Sequence, residues 1–304
     1  MTRILITGAT GLIGKHAVER LIADGLEVHA IVRTIPEPLP PDVHWHVCDL
    51  LVGDVAELVA RINATHLLHL AWTTEHGTFW NAPENRDWQA ASERLAEAFA
   101  LAGGKRIVMA GSCAEYDWTD LGDGVCRESE TVLKPHTLYG QVKAEMSLWL
   151  VDFAAANGLS QAWGRVFFPY GEGEDYRRLV PSVCLALQAG EEAECSSGRQ
   201  VRDFMAAEDV GWAFAALLMS GVEGAVNVAS GEPHTIAEVA QMLGDVAGRP
   251  DLVKLGALPD RADDPPVLVA DVARLRDEVG FTPTFGFLEG LERAYDRFRK
   301  EERD

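Results

Sequence analysis

The chain has 304 residues, of which 47% are hydrophobic and 24% charged, so disorder and collagen-like repeats are excluded and one large α/β unit or two domains are expected. Its 27 Lys and Arg against 47 Asp and Glu give a formal net charge of −20, which excludes nucleic acid and anionic membranes as expected partners. The sequence has neither an apolar stretch of about 18 residues nor a signal-peptide pattern, and we therefore expect a cytoplasmic protein.

The first half of the chain alternates short apolar runs with segments of helical periodicity. Four apolar runs are typical of buried strands: 4–6, 28–32, 67–70 and 107–109. Three segments carry apolar side chains at helical spacing: 13–23, 55–62 and 88–102. This alternation predicts right-handed βαβ units and an α/β fold with a doubly wound parallel sheet, covered by helices on both faces.

The second half of the chain is less regular. After a long loop at residues 111–135, a helix is predicted over 137–156 with Gly158 ending it, and a strand follows near 162–167. The shorter elements beyond this strand are rich in Gly, Pro and acidic residues and indicate a smaller second lobe.

The cysteines point to no covalent or metal framework. There are five of them, without a C-x-x-C pair: Cys48, Cys113, Cys126, Cys184 and Cys195. Five cysteines cannot all form pairs, and none has the spacing of a metal-binding motif. We therefore expect buried thiols, with no disulfide framework and no metal site.

A glycine-rich turn follows the first predicted strand and opens the first predicted helix. It reads Thr7-Gly8-Ala9-Thr10-Gly11-Leu12-Ile13-Gly14. Gly8 permits a tight turn, Gly11 lets the backbone approach a pyrophosphate, and Gly14 allows close packing of helix on strand. The helix N-terminus favours phosphate, so the turn predicts a dinucleotide site to which Thr10, Leu12 and Ile13 also contribute.

The residues that end the second and third strands indicate which dinucleotide is bound. An acidic residue after the second strand would bind the ribose 2′-OH of NAD, but Val32 and Arg33 stand there. Arg33 favours the 2′-phosphate of NADP(H), although a plain surface arginine is the other interpretation. Asp49 and Leu50 are placed to meet the adenine, or Asp49 is a loop residue.

Three polar side chains predict acid–base chemistry at the sheet edge. Tyr139 and Lys143 lie four residues apart on a predicted helix and so share one face. A nearby ammonium favours the tyrosinate, which lets a tyrosine exchange a proton near neutral pH. Ser112 follows a predicted strand and reaches the edge at which open α/β sheets bind ligands.

The turn from Thr7 to Gly14, the Ser112 segment and residues 135–143 together resemble the extended short-chain dehydrogenase/reductase family of nucleotide-sugar epimerases, dehydratases and reductases. The resemblance continues at further positions to the last helix: Asn85, Arg165, Pro169-Tyr170-Gly171, Arg202-Asp203-Phe204, Asn227 and Asp271. It implies a Rossmann domain of about seven parallel strands, a small C-terminal lobe for the substrate nucleotide, and a homodimer.

The resemblance implies a role for each matching residue. Tyr139 would be the acid/base, Lys143 would bind the nicotinamide ribose and lower the pKa of Tyr139, and Ser112 would hydrogen-bond the reacting oxygen. Arg202 and Arg261 match diphosphate-binding arginines, or form surface salt bridges. The remaining expected contacts are Leu70 and Ala71 to the cofactor, and Trp72, Cys113 and Phe168 to the substrate.

The positions that depart from the family pattern reduce the number of reactions that we expect this protein to catalyse. The 4,6-dehydratases of the family have an Asp-Glu pair directly after the Ser or Thr, whereas Cys113 and Ala114 follow Ser112. Reductases that also epimerise place a Cys where Ala114 stands, so epimerisation of neighbouring carbons is not expected. Phe168 replaces an Asn that contacts substrate phosphates in the sugar epimerases of the family, which argues for altered substrate placement.

The segment His69-Leu70-Ala71-Trp72, with Trp80 nearby, resembles 4-ketoreductases of deoxysugar pathways. In these enzymes an aromatic wall could pack on the apolar face of a deoxyhexose, although Trp72 as a core residue is the other interpretation. We therefore expect NADPH-dependent reduction of the C4 ketone of a nucleotide-diphosphate-linked 4-keto-6-deoxyhexose. The alternatives are a nucleotide-sugar 4-epimerase that retains NAD(P), and a non-catalytic NADP-binding redox sensor.

The expected domain division follows from this assignment. Residues 1–167 with a returning segment, 203–235, would form the dinucleotide-binding Rossmann domain. Residues 168–202 and 236–304 would form the smaller, mixed α/β lobe that binds substrate.

Overall fold

The computed structural model describes residues 2–38, 40, 42–119, 121–260 and 264–301. Its strands are β1 (Arg3–Thr7), β2 (Glu27–Val32), β3 (Val43–Val47), β4 (His66–His69), β5 (Arg106–Ser112), β6 (Val125–Cys126), β7 (Ser160–Val166), β8 (Phe168–Tyr170), β9 (Ala193–Glu194), β10 (Val201–Ala206), β11 (Gly224–Val228), β12 (Pro233–Thr235), β13 (Val253–Lys254) and β14 (Val267–Ala270).

The α-helices are α1 (Gly14–Ala23), α2 (Ala56–Ile62), α3 (Glu84–Leu101), α4 (Leu138–Asn157), α5 (Leu179–Ala189), α6 (Ala207–Met219), α7 (Ile236–Val246) and α8 (Phe287–Glu301). In the described ranges, no helix combines the length and the apolar character that crossing a membrane requires. Gly158 ends α4 with a φ of +65°, a left-handed conformation that glycine adopts without steric cost.

The larger sheet is parallel, with seven strands in the order β11-β7-β5-β4-β1-β2-β3. From β1 the chain runs outward through β2 to β3 and then returns to place β4 on the other side of β1. This reversal opens a crevice at the carboxyl ends of β1 and β4, which is where doubly wound sheets bind ligands. The doubly wound parallel sheet predicted from the sequence is confirmed.

Both faces of this sheet are buried, and β1 shows why its sequence is almost continuously apolar. Ile4 and Ile6 pack toward α1 and α6, whereas Leu5 packs toward α2, α3 and α4. Because successive side chains of a strand point to opposite faces, a strand covered on both sides needs apolar residues at every position.

A second, smaller sheet of five strands joins β12, β10, β14 and β6 in that order, with β8 also paired to β10. Only the pairing of β12 with β10 is antiparallel. Helices α5, α7 and α8 bury an apolar cluster against it that includes Tyr170, Phe204 and Leu291. The expected smaller mixed α/β lobe is therefore present.

Elements of the expected returning segment, 203–235, occur in both parts of the fold. Helix α6 and strand β11 belong to the large sheet and its cover, whereas residues 203–206 and strand β12 belong to the second sheet. The division of the chain into a cofactor domain and a substrate lobe stays a prediction.

Candidate active site

The glycine turn closes tightly between β1 and α1. Gly8 has a φ of +73°, and a Cβ there would stand 2.7 Å from the backbone nitrogen of Ala71. A Cβ at Gly14 would overlap the carbonyl oxygen of Gly8, whereas Gly11 is exposed and donates its N–H to that oxygen at 3.0 Å. The turn is therefore a backbone cradle at the start of a helix, and it fits a pyrophosphate.

The other expected cofactor residues lie around this cradle. Thr10 is exposed in the turn, and Leu12 and Ile13 are half-buried at the start of α1. Leu70 and Ala71 follow β4, where their N–H groups donate to the Thr7 carbonyl at 3.2 Å and to the Thr7 hydroxyl at 3.3 Å. The crevice between β1 and β4 thus holds both segments.

The ends of β2 and β3 carry the residues expected near the adenine and its ribose. Arg33 leaves β2 beside the glycine turn, is exposed, and makes no ion pair with any residue the structure describes. Asp49 follows β3 and accepts a hydrogen bond from the Leu51 N–H at 2.9 Å, and Leu50 is buried. Both groups lie at the carboxyl edge of the sheet.

Helix α4 brings Tyr139 and Lys143 to the end of β5, where Ser112 stands. The hydroxyl of Thr137 caps α4 by accepting from the Gly140 N–H at 3.1 Å. A Cβ at Gly140 would overlap the carbonyl oxygen of Ala114, so glycine there allows the helix to approach the turn after Ser112. The structure brings the three expected catalytic side chains together, and the Ser112 side chain is close enough to Tyr139 to lower its pKa.

Burial dominates the electrostatics of this group. It raises the pKa of Tyr139 above its usual range, and the hydrogen bond from Ser112 offsets this only in part. It lowers the pKa of Lys143 to about 7, although the charge of Glu115 acts in the opposite direction. A depressed Tyr139 pKa, which the resemblance implies, is therefore absent from the protein alone, and Tyr139 is a neutral O–H donor.

Lys143 is held from two sides. Its Nζ donates to the Ala110 carbonyl at 2.8 Å and lies 3.6 Å from the centroid of the Trp72 ring. Trp72 in turn donates from Nε1 to the Asn85 side chain at 2.9 Å, so its ring is fixed. Trp72 is half-buried, so it both contacts Lys143 and packs against the apolar cluster that includes Trp88.

Three aromatic rings, Trp72, Phe79 and Trp80, surround Tyr139, and we call them the aromatic wall. Their ring centroids lie 6.3, 5.0 and 5.9 Å from that of Tyr139, respectively, all at steep edge-on angles. The sequence pointed to Trp72 and Trp80, whereas Phe79 was missed because a single Phe in a loop carries no periodic signal.

Three further expected substrate residues lie elsewhere around the site: Cys113 follows β5, Phe168 begins β8 and Arg202 lies on β10. Arg202 is buried, forms an ion pair with Asp264, and lies 5.6 Å from the Phe168 ring centroid. Cys113 is buried next to Ser112, and burial raises the pKa of its thiol. Arg261 lies outside the described residues.

A buried ion pair between Glu115 and Arg165, which was not predicted from the sequence, holds the turn that carries Ser112. Glu115 is fully buried and accepts hydrogen bonds from the Ser112 N–H and Trp163 Nε1, both at 2.8 Å, and from Arg165 Nε at 2.7 Å. Two carboxylate oxygens therefore tie the turn after β5 to β7. An acidic residue amid the apolar and small residues of this turn is the signal that could have indicated it.

A second feature that was not predicted from the sequence is a cation near Tyr139. The charge of Arg178, at the start of α5, is close enough to lower the pKa of Tyr139 slightly. Its neighbour Arg177 is instead paired with Asp175 at 2.7 Å. The Arg-Arg pair directly before an apolar helix was the available signal.

A doubly wound sheet, a glycine cradle and a Ser-Tyr-Lys group at its carboxyl edge define a dinucleotide-dependent enzyme of the Rossmann type. Residues 4–229 match the NAD dependent epimerase/dehydratase family, and the chain belongs to this family of extended short-chain dehydrogenases/reductases. It is therefore an NAD(P)-dependent enzyme of the oxidoreductase and epimerase type.

Relatives of both types are similar to the chain over nearly its whole length. A dTDP-6-deoxy-L-talose 4-dehydrogenase (NAD(P)(+)) of Kitasatospora kifunensis is 29% identical to this chain. The alignment covers 92% of this chain and 91% of the relative. A dTDP-4-dehydro-6-deoxy-D-allose reductase of Streptomyces bikiniensis is 28% identical, with coverages of 99% and 97%. The crystal structure of Thermus thermophilus UDP-glucose 4-epimerase with NAD superposes on this chain with a TM-score of 0.85. The two sequences are 27% identical, and the match covers 98% of this chain and 99% of the epimerase chain.

Proposed function

We propose that the protein reduces the C4 ketone of a nucleotide-diphosphate-linked 4-keto-6-deoxyhexose, with NADPH as the reductant. The observation that carries this proposal is the setting of Tyr139, which is buried, lies next to Ser112 and is enclosed by the aromatic wall, and whose pKa burial raises. Reduction of a ketone requires a proton donor at the oxygen, and a tyrosine whose pKa burial has raised holds its proton at neutral pH.

Each side chain of the group has a separate task. Tyr139 donates its proton to the sugar oxygen, and Ser112 stabilises the negative charge that develops on that oxygen. Lys143, whose pKa burial lowers to about 7, can pass a proton toward Tyr139 near neutral pH. A bound nicotinamide supplies the hydride at the ketone carbon. The glycine cradle would hold its pyrophosphate.

The aromatic wall supports a deoxyhexose as the sugar. A 6-deoxy sugar presents a methyl group and an apolar ring face, which pack favourably on aromatic rings. Trp72 and Trp80 are half-buried neighbours of Tyr139, which supports an apolar contact with a sugar bound at its hydroxyl. The printed names of two relatives, a 6-deoxytalose dehydrogenase and a 6-deoxyallose reductase, agree with this substrate class.

The Arg202–Asp264 ion pair supports binding of the diphosphate. Arg202 is buried, and leaving its charge without a partner would be costly. A diphosphate can replace Asp264 as the counter-charge, so the pair keeps the arginine in place until substrate binds.

Arg33 supports NADPH over NADH, because it is exposed beside the glycine turn and no acidic residue ends β2. Arg33→Ala should raise the Kd of NADPH by roughly 10-fold or more, since a hydrogen bond to a charged group contributes about 1.5–3 kcal/mol. The Kd of NADH should change less than about 2-fold, and fluorescence titration measures both. Arg61→Ala, at an exposed arginine on α2, is the matched control. Equal losses for the two cofactors would contradict the assignment.

A nucleotide-sugar 4-epimerase with retained NAD(P) is the second candidate, and the fold similarity to the Thermus thermophilus enzyme favours it. Such an enzyme would consume no external NADPH and would purify with its cofactor. A non-catalytic redox sensor is less favoured, because Ser112, Tyr139 and Lys143 are all present and adjacent.

The deciding experiment follows NADPH oxidation with a panel of nucleotide-linked 4-keto-6-deoxyhexoses, generated in situ by a dehydratase. NADH is run in parallel. Rapid oxidation of NADPH with one nucleotide would establish the reductase and identify the nucleotide. Oxidation with none of them, together with NAD(H) released on denaturing the purified protein, would establish the epimerase instead.

A further inference from the structure

A group of imidazoles and one carboxylate lies at the outer edge of the large sheet. Strands β2 and β3 pair in parallel with His29 beside His44, and alternate residues share one face, so Glu27 and His46 join them. The ligand atoms of Glu27, His29 and His44 all lie within 4.8 Å of one another. The His29 ring stacks on that of His44, with centroids 4.5 Å apart and an interplanar angle of 24°, and the His46 ring centroid is 5.2 Å away. His44 is exposed, so its side chain can turn to direct a ring nitrogen at an ion shared with His29.

The hydrogen bonds in this group define the protonation of His29. Its Nε2 lies 3.0 Å from Oε1 of Glu27, and because a carboxylate can only accept, Nε2 carries the hydrogen. Its Nδ1 lies 2.9 Å from Nε2 of His46 and therefore accepts from it. His46 thus fixes both the tautomer and the orientation of the His29 ring.

We propose that Glu27, His29 and His44 bind one divalent transition-metal ion of the Zn²⁺ class, with His46 as the residue that orients His29. Two imidazoles and a carboxylate suit Zn²⁺, and water would complete the coordination. The ion takes the place of the hydrogen on Nε2 of His29, and that proton leaves to solvent. Nδ1 of His29 then takes the hydrogen from Nε2 of His46, and Nδ1 of His46 takes a proton from solvent, so both rings stay neutral. Nδ1 of His29 now donates to Nε2 of His46, which is the kind of outer contact that metal-bound histidines make.

Arg3 opposes the ion and limits its affinity. Its Nε donates to the same Glu27 oxygen at 2.8 Å, while its Nη1 donates to the Ile62 carbonyl at 2.6 Å. A guanidinium this close repels a cation, so Arg3→Gln should tighten Zn²⁺ binding.

The site is separate from the proposed reaction. Glu27 begins β2 and His44 is the second residue of β3, whereas the residues expected to bind cofactor follow the carboxyl ends of these strands. Because β3 is the edge strand and, among the residues that the structure describes, pairs only with β2, a shared ion would tie the edge to the sheet and stabilise the folded protein.

The test is calorimetric titration of tag-free protein with ZnCl₂. We expect one Zn²⁺ per chain, and a Kd at least about 10-fold higher for His44→Ala and for His29→Ala. His44 is exposed, so this variant should keep its fold. His234→Ala is the matched control, since His234 also stands beside a carboxylate, Glu232, at 3.8 Å, but in the second sheet.

A second readout is thermal unfolding. Zn²⁺ should raise the Tm of the wild type and of His234→Ala, but not that of His44→Ala. Absence of a one-to-one site in the wild type, or an unchanged Kd in His44→Ala, would overturn the proposal.

Discussion

Tyr139 is the residue on which the proposed chemistry depends. Its ring is fixed by edge-on contacts with Phe79 and Trp80, and only its hydroxyl reaches Ser112. Tyr139→Phe keeps the ring and removes the proton donor. We expect kcat to fall by roughly 100- to 10,000-fold, the usual contribution of a general acid, while the Kd of NADPH changes little. Steady-state kinetics and fluorescence titration measure the two quantities.

Tyr176→Phe is the control for this variant, because Tyr176 is 67% exposed and lies in the loop before α5. It should leave kcat within about 2-fold of the wild type, as most surface substitutions do. Retained turnover in Tyr139→Phe would remove Tyr139 from the acid role.

Lys143 combines its proposed catalytic task with a cost in the stability of the folded protein. Burial lowers its pKa to about 7. Below this pH the folded and unfolded chains both bind the proton, and the folded protein bears the full cost of a buried charge. Between pH 7 and the ordinary lysine pKa, only the unfolded chain holds it, so the cost falls as the pH rises.

Lys143→Met should therefore raise the Tm by several degrees at about pH 6 and by little at about pH 9.5, with turnover lost at both, since one pKa unit corresponds to about 1.4 kcal/mol. Scanning calorimetry at the two pH values measures the difference. Lys105→Met, at an exposed lysine, should show no such dependence. A variant less stable than wild type at the lower pH would contradict the burial argument.

At the scale of elements, the turn after β5 is held to β7 by Glu115. Glu115→Gln keeps the shape of the side chain but leaves the buried Arg165 without its counter-charge. We expect a loss of about 3–5 kcal/mol in the free energy of unfolding, because an unpaired buried charge is costly. Chemical denaturation measures it, and a lower kcat should accompany it because the turn that carries Ser112 loses its hydrogen bond to Arg165 on β7.

The matched control is Glu145→Gln, which breaks the exposed ion pair between α4 and Arg86. Exposed pairs contribute about 0–1 kcal/mol, so this variant should be nearly neutral. The double variant Glu115→Gln/Arg165→Met removes both charges and should recover much of the stability. Equal effects of the two Gln variants would show that burial is not the cause.

The elements of the large sheet could be predicted from the sequence because two-sided burial leaves a local signal. Apolar runs such as Ile4 to Ile6 and the helical spacing over 137–156 are readable in short windows. Helix α3 begins at Glu84, earlier than the predicted 88, because its first turn is polar and carries no apolar period. Strands as short as β6 and β9 have no pattern of their own.

The candidate site was predictable where spacing or strand ends determine it, as for the glycine turn and the Tyr139–Lys143 pair. Contacts across the fold were not, because Glu115 and Arg165 are 50 residues apart in sequence. His44 and His46 do carry a signal: two histidines at spacing two in a strand share a face, although their partner His29 lies on another strand.

At the scale of the whole molecule, the net charge of −20 means that the folded chain repels itself. Raising NaCl from about 0.02 M to about 0.3 M shortens the Debye length from roughly 20 Å to below 10 Å. We expect the Tm to rise by about 1–2 °C, the shift that roughly 1 kcal/mol gives in a protein of this size. Scanning calorimetry measures it.

A sucrose series at matched osmolality separates screening from solute exclusion, because sucrose does not screen charge. A Tm that falls with NaCl would mean that the exposed ion pairs outweigh the general repulsion.

The Glu115–Arg165 pair also limits how this protein can change over generations. A lineage that replaced either charge alone would pass through a variant with an uncompensated buried ion, and a marginally stable fold tolerates few such steps. The two positions are therefore expected to be inherited or lost together. Descendants that keep one charge would need a new partner within reach of the turn that carries Ser112.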